Sequence, residues 1–439
     1  MGSKNGWRET TLGEEVDLLT GFPFKSRDYT DNADGIKLLR GDNVVQGDLR
    51  WGGVKRWPAS DASRYLEYFL EAGDVVLAMD RPWIEAGLKY ASISEHDKPC
   101  LLVQRVSRLR GGPRLDISFL RYLIGSREFT DHVLAVQTGT SVPHISPTQI
   151  KEFAFRCPPL SEQRRIAHIL GTFDDKIELN RRMNRTLERM ATAIFKSWFI
   201  DFDPVHAKAE GGEPGLPKHI AALFPDSFQD SELGPIPEGW EIGPLSKVAA
   251  LSTTTVQPKA EPEQLWEHYS IPAFDKAQLP QRELGHTIKS GKFVVPHNAV
   301  LASKLNPQFP RIWIPGHVDS AISVCSTEFM PFVATRESWR PFLYELLRSP
   351  VVQDEIVSHA SGSTGSRQRV KPKEVAEMSV LTPPPELIDT FCGMAGGLHE
   401  KYIANRTNSK VLAIIRDTLL PKLLSGEIDE LVLEQVEVA

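Results

Sequence analysis

Pro158-Pro159-Leu160-Ser161-Glu162-Gln163 opens a stretch that runs to Trp198-Phe199-Ile200-Asp201-Phe202-Asp203 with no Pro or Gly after Gly171. Along it, Ile166, Leu170, Phe173, Ile177, Asn180, Asn184, Leu187, Ala191, Ile194 and Trp198 follow one another at alternating spacings of four and three. That is the seam of a helix packed lengthwise on another helix. Ser161, just after the Pro pair, is the expected N-cap, and Glu162 suits the positive helix start. From Ser161 to Phe199 such a helix would reach about 58 Å. A rod of that length needs a partner for its seam.

The same chain supplies one. A shift of 225 residues lays Pro383-Pro384-Pro385 on the first Pro run. The second seam then reads Phe391, Ala395, Leu398, Tyr402, Asn405, Ser409, Leu412, Arg416, Leu419 and Leu423, with Asn180 on Asn405, Arg181 on Arg406 and Leu187 on Leu412. Polar seam residues cost stability and fix register, so Asn180, Asn184, Asn405 and Ser409 are read as alignment devices. The duplication extends outward. Gly239-Trp240 restarts the pattern of Gly6-Trp7, Ala299 to Pro307 resembles Val75 to Pro82, and Ala360 to Val380 stands where Gln137 to Phe155 stood. Each half is a globular unit followed by a long helix.

Read together, PPLSEQRRIAHIL and NRRMNRTLERMATAIFKSWFIDFDPV, with the later PPPELID and NRTNSKVLAIIRDTLLPKLLSGEI, resemble the specificity subunit of type I restriction–modification systems. The resemblance implies an α+β fold. Two tandem mixed α/β target-recognition domains are separated by two long helices that form an intramolecular antiparallel coiled coil, the whole pseudo-two-fold symmetric. The expected boundaries are 1–156 for the first recognition domain, 157–203 for the first spacer helix and 204–238 for an acidic Pro/Gly connector lying on the surface. Residues 239–380 form the second recognition domain, 381–426 the second spacer helix and 427–439 an acidic tail.

Within the first globule, Gly35 to Val44 and Gly73 to Pro82 read as buried strands closing at turn residues, and Asp116 to Asp131 as one amphipathic helix. Hydrophobic content of 41% and charged content of 25% are ordinary for a soluble protein. No segment approaches about 18 uninterrupted apolar residues, and Met1 to Trp7 lacks the apolar core of a signal peptide. A cytoplasmic protein with no membrane association is expected. Cys100, Cys157, Cys325 and Cys392 have no metal-type spacing and are expected as reduced thiols.

The net charge of −6 is uneven. Residues 204–238 hold two Lys against six acids, and residues 427–439 hold five acids and no base. The remainder is +3, which allows a basic face without demanding one.

Two different globules on paired helices suit a DNA site read in two separate, dissimilar halves. The candidate contacts are the loop Thr138, Gly139, Thr140, Ser141 and its counterpart Ser363, Thr364, Gly365, with Arg367 and Arg369. Their hydroxyls, amides and guanidinium groups suit phosphate oxygens. Arg40, Arg81 and Lys304, at the ends of matched strands, are further candidates. For each of these an ordinary loop or a solvated charge is the competing reading.

Three patterns that suggest an enzyme fail. Asn306-Pro307-Gln308-Phe309 resembles the base-holding motif of adenine methyltransferases but departs at Gln308. Phe391 to Gly396 faintly resembles an S-adenosylmethionine loop, yet Phe391 and Ala395 lie on the seam. His132, His144 and His168 lack metal spacing. The chain is therefore expected to carry no catalytic residues, no metal and no cofactor.

The resemblance places the chemistry in partners on double-stranded DNA. Two modification subunits would methylate adenine with S-adenosylmethionine, and optional restriction subunits would use ATP and Mg. Arg182, Arg185, Arg189, Lys196, Lys401 and Lys410, with Asp201 to Val205, are the expected docking surfaces for those subunits. A different class of function, a coiled-coil adaptor whose globules bind protein, would fit the acidic charge.

Overall fold

The computed structural model describes residues 6–139, 141–362 and 368–428. The chain divides into two compact units, Met1–Lys176 with Leu412–Ala439, and Ile177–Val411. The division cuts both long helices, Leu160–Phe199 and Pro385–Ser425, of 40 and 41 residues. The first begins one residue before the expected cap. Pro159, which has no amide hydrogen to leave unpaired, takes the capping place. Its carbonyl accepts from the amides of Glu162 and Gln163 at 2.9 and 3.0 Å, while Ser161 stands exposed. Gln163 is fully buried. Its Nε2 donates to the carbonyls of Arg114 and Pro158 at 3.0 and 2.7 Å, and its Oε1 accepts from the Asp116 amide at 2.8 Å.

In the first unit, Ile166 and Leu170 of the seam are buried in one apolar cluster with Leu423 of the second helix. Above them, Asp174 accepts from Arg416 Nη1 at 2.5 Å, Arg121 Nη2 at 2.9 Å and the Tyr122 hydroxyl at 2.7 Å. In the second unit, Asn184 donates to the Tyr402 carbonyl at 3.1 Å and accepts from Asn405 Nδ2 at 2.9 Å. Asn180 donates to Asn408 Oδ1 and Ser409 Oγ at 3.0 and 3.2 Å. The seam ends in aromatic packing, where the rings of Phe195 and Phe199 lie 5.3–5.6 Å from those of Phe342 and Phe391. Each such pair contributes about 0.5–1.5 kcal/mol beyond its buried area.

Both globules repeat one strand plan. The first has a four-stranded sheet in the order Val16–Thr20, Val106–Gly111, Val75–Ala78, Tyr90–Ser92. The second has Ala249–Leu251, Phe329–Ala334, Ala299–Ser303, Ile312–Trp313 in the same order. Each also carries a second sheet built around a parallel pair, Ile36–Leu39 with Cys100–Leu102 and Leu265–Tyr269 with Ser323–Cys325. In each, the first and last strands pair antiparallel, Arg8 opposite Cys157 and Glu241 opposite Thr382.

Two local expectations need correction. Asp116 to Asp131 is not one helix but two, Ile117–Ile124 and Arg127–Val136. The break falls at Gly125, where a Cβ would come within 2.2 Å of the Tyr90 hydroxyl, and Ser126 then caps the next helix. Residues 204–238, expected as a surface connector, are mostly exposed or half-buried but are also anchored in the core. The segment forms the helices Asp203–Ala209 and Lys218–Ala221, and Val205, Ile220, Phe224 and Ile236 are buried in the core of the second unit. The Pro, Gly and acids set its composition, but the sparse apolar residues decide where it packs. The tail lies outside the described residues from Asp429 onward.

Asn184→Ala should lower stability to urea by about 1–3 kcal/mol, because Asn405 Nδ2 is then buried and unpaired. Asn184→Leu combined with Asn405→Leu should recover most of that loss, and urea midpoints for the parent and both variants check it. A second prediction concerns the four cysteines, all of them buried and unpaired. Burial pushes Cys100, Cys325 and Cys392 up to about 12 and raises Cys157 despite Arg8. A thiol raised this far stays protonated at pH 8. A thiol reagent should therefore label none of the four rapidly in the native protein and all of them after denaturation.

Candidate nucleic-acid interface

Strand Val75–Ala78 is buried at every position, so the first residues able to leave the core follow it. The chain turns there through Arg81, in the left-handed region at φ +46°. The Arg81 amide donates to the Pro143 carbonyl at 2.6 Å, and His144 Nδ1 lies 2.7 Å from Asp80 Oδ1. Thr138 and His144 exchange backbone hydrogen bonds of 2.9 and 2.7 Å, closing the Thr138–Ser141 loop beside the turn. Gly139, at φ +92°, makes this closure possible, since a Cβ there would meet the Val142 carbonyl oxygen at 2.7 Å. Thr138, Gly139 and Ser141 are exposed, and Thr140 lies outside the described residues.

Beside this loop is an open concavity of about 870 Å³ that brings Arg40 and Arg81 together. Lys25, Arg27, Lys89 and Arg105 join them, against the acids Asp42 and Asp80. Arg40 lies 3.6 Å from Asp42 and Arg105 lies 3.5 Å from Asp80. Lys89 donates to the Gly41 carbonyl. Burial, opposed by Asp42 and reinforced by Arg81, holds the Lys89 ammonium below the ordinary lysine value. Among the described residues no carboxylate pairs with Arg81, which is exposed. Six cations against two acids in one cleft make a positive surface suited to a phosphate backbone.

The second globule builds the same turn. Asn306, which the 225-residue shift lays on Arg81, is also left-handed at φ +50°. Its amide donates to the Gln368 carbonyl at 2.8 Å, and the Val370 amide donates to the Lys304 carbonyl at 3.1 Å. Leu305 and Ser361 both bridge to Arg369, as Asp80 and Thr138 both bridge to His144. Lys304 and Arg369 are thus neighbours. The Arg369 fork, however, is held by Glu328 at 3.1 and 2.9 Å, which raises its guanidinium further. Ser363, Thr364, Gly365 and Arg367 lie outside the described residues.

Lys25, Arg27, Lys89 and Arg105 were missed by sequence reasoning. The one signal that points to Arg105 is its place as a charged residue in the short turn between the buried strands Cys100–Leu102 and Val106–Gly111. The other three join the cleft only through the tertiary fold.

Of the helix cations, Arg182, Arg185, Arg189, Lys196, Lys401 and Lys410 are all exposed. Arg182 and Arg185 are shared with Glu178 at 4.0 and 3.3 Å, and Lys196 pairs with Asp201. Pro204 and Val205 are buried, so that part of Asp201 to Val205 is core and offers no docking surface. Asn306 to Phe309 forms a turn closed by the Phe309 amide on the Asn306 carbonyl at 2.9 Å. Phe391 to Gly396 lies within the second long helix, with Phe391 and Ala395 buried.

A family model described as the type I restriction modification DNA specificity domain matches residues 63–189. The type I restriction enzyme HindI specificity subunit of Haemophilus influenzae is 26% identical over 71% of this chain and 77% of its own length. The MjaIX specificity subunit of Methanocaldococcus jannaschii is 26% identical over 71% of this chain and 68% of its own. The EcoAI specificity subunit of Escherichia coli reaches 38% identity, over 37% of this chain and 27% of its own. The crystal structure of a type I system S subunit from M. genitalium covers 96% of this chain and 98% of its own, with a TM-score of 0.55 at 16% identity, a likeness of fold.

Gly139→Ala should strain the clasped loop by about 1 kcal/mol or more. Amide exchange at Thr138 and His144 should accelerate while exchange in residues 177–411 stays unchanged. Hydrogen-exchange mass spectrometry reads both.

Proposed function

We propose that this chain, which belongs to the family of type I restriction–modification specificity subunits, selects the DNA sequence for its complex by reading two dissimilar half-sites, one with each globule. It is a specificity subunit, non-catalytic itself, that binds DNA and assembles with other subunits. One observation carries the two-reader reading: the same left-handed turn and clasped loop are built twice, but with different chemistry. Arg81 and the Asp80–His144 pair stand in the first globule, Asn306 and the Glu328–Arg369 pair in the second. Repeated geometry with unlike side chains suits an asymmetric bipartite target.

Residues 1–156 and 239–380 serve in this proposal as the readers, with 157–203 and 381–426 as spacer helices and 204–238 between them. The helices form an antiparallel coiled coil with a pseudo-two-fold axis. Its support is the pairing of Asn180 with Ser409 and of Asn184 with Asn405, which the 225-residue shift interchanges. The partners follow from the family resemblance. Two modification subunits would carry S-adenosylmethionine for N6-methylation of adenine, and restriction subunits, where present, would carry ATP and Mg for cleavage. None of these cofactors is assigned to this chain, and the complex is placed in the cytoplasm with its DNA. Nothing in the relatives favours a protein adaptor.

Replacing residues 1–156 with the corresponding domain of a relative should change one half of the methylated motif and leave the other intact. Methylome sequencing of cells carrying the complete operon reads this, and a change in both halves would overturn the two-reader reading. Arg81→Gln and Lys304→Gln should each reduce the slope of log affinity against log salt by about 0.9 if each contacts one phosphate.

A further inference from the structure

The two matched turns share a feature that phosphate binding does not use. Immediately after the left-handed residue, each globule exposes large apolar side chains. After Arg81, the chain forms a hairpin of Trp83–Ile84 against Gly87–Leu88, with Trp83 opposite Leu88 and Ile84 opposite Gly87. Adjacent residues of a strand point to opposite faces, yet Trp83 and Ile84 are 38% and 40% exposed. Neither face of the hairpin is fully covered. After Asn306, Phe309 is 61% exposed, and the 225-residue shift lays it on Ile84.

Neither Trp83 nor Phe309 stacks on another ring among the described residues. A single exposed apolar residue is ordinary. Two at one duplicated position, each following a left-handed residue that is not glycine, call for a role.

The surroundings identify the occupant. In the first globule the hairpin adjoins the cleft carrying Arg81, Lys89 and Arg105. In the second, Phe309 follows Lys304 by five residues and the turn is bonded to the segment bearing Arg369. Apolar tips bordered by cations match a duplex, whose phosphates meet the cations and whose base faces are the apolar surface within reach. Glu85, exposed at the hairpin tip, carries a carboxylate that phosphate would repel and that can accept from a base amino group.

We infer that Trp83 with Ile84, and separately Phe309, are wedges that press against a base step in their half-site and unstack it. The inference rests on the DNA-reading role proposed above. It adds a deformation component to specificity, because pyrimidine–purine steps open at lower cost than others. Each wedge should therefore favour a flexible step at its own position.

The test uses the full chain assembled with its modification subunits, without S-adenosylmethionine. The probe is a duplex carrying the motif found by methylome sequencing, with 2-aminopurine placed at successive positions and a scrambled duplex as control. The unsubstituted complex should raise fluorescence at one step in each half-site, apart from the methylated adenines. Phe309→Ala should abolish the signal in one half-site and weaken binding about tenfold, leaving the other half-site signal and the salt slope unchanged. Trp83→Ala with Ile84→Ala should do the reverse.

Phe309→Leu should retain part of the affinity. A mismatch introduced at the signalling step should restore part of what Phe309→Ala loses, an effect that a merely structural role would not produce. An unsubstituted complex that selects its motif while the wedge variants bind equally well, or show no lost signal, overturns the wedges. An unsubstituted complex that fails to prefer its motif over the scrambled duplex overturns the DNA-reading role itself, and the wedges with it.

Discussion

The side-chain amide pair Asn184–Asn405 is the constraint on which the register of the second unit depends. Both residues are nearly fully buried, at 9% and 3% exposure, and their mutual hydrogen bond is 2.9 Å. Sliding one helix by a heptad along the other would place Asn184 against Leu398 or Leu412. Either slip buries an amide against hydrocarbon at a cost of about 1–3 kcal/mol, and it strands Asn405 as well. Leucines alone would pack almost as well several ways. Polar groups that must meet each other leave one arrangement.

Buried polar groups also fix each globule to its own helix segments, with different chemistry in the two units. In the first, Asp174 collects Arg121, Tyr122 and Arg416. In the second, His399, which the 225-residue shift lays on Asp174, lies with Nε2 2.9 Å from Glu345 Oε1, while Thr192 donates to Glu345 Oε2 at 2.9 Å. Arg348 adds a contact to Glu188 at 3.2 Å. A carboxylate surrounded by donors cannot replace an imidazole facing a carboxylate without leaving a charge buried and unpaired. The duplicated halves have thus diverged where mismatched docking would be most costly, although their strand plan is the same.

The features legible in the sequence were those governed by periodicity. The four-and-three spacing from Ile166 to Trp198 gave the long helix, and the 225-residue shift gave the duplication of globule and helix, within which the structure repeats one strand order. Features set by local backbone geometry or by distant partners were not legible. Arg81, Arg105 and Asn306 adopt left-handed conformations that arginine in particular gives no reason to expect. Arg369 looked like a free cation but is held by Glu328, forty-one residues away in sequence. The segment after Asp203 looked like linker because its composition is Pro, Gly and acid, while Val205, Ile220 and Phe224 carry it into the core. Composition describes what a segment can do in water. It does not describe which few side chains find a cavity to fill.

The contrast between Arg81 and Arg369 bears on how two readers on one scaffold come to differ. At the first turn the carboxylate Asp80 is shared by His144 and Arg105, and Arg81 remains without a counter-charge. At the second, Glu328 binds Arg369 through the Nε–Nη2 edge of its guanidinium, and the residue matching Arg81 is the neutral Asn306. The first cleft therefore presents more uncompensated positive charge to a duplex than the second turn does among the described residues. Under the proposed DNA-reading role, affinity for phosphate would be weighted toward the first globule, and the second would draw more of its discrimination from shape and base contact. In the proposed two-reader scheme, unequal readers of this kind would make a bipartite site directional, because the more strongly charged reader would bias which way round the duplex is held.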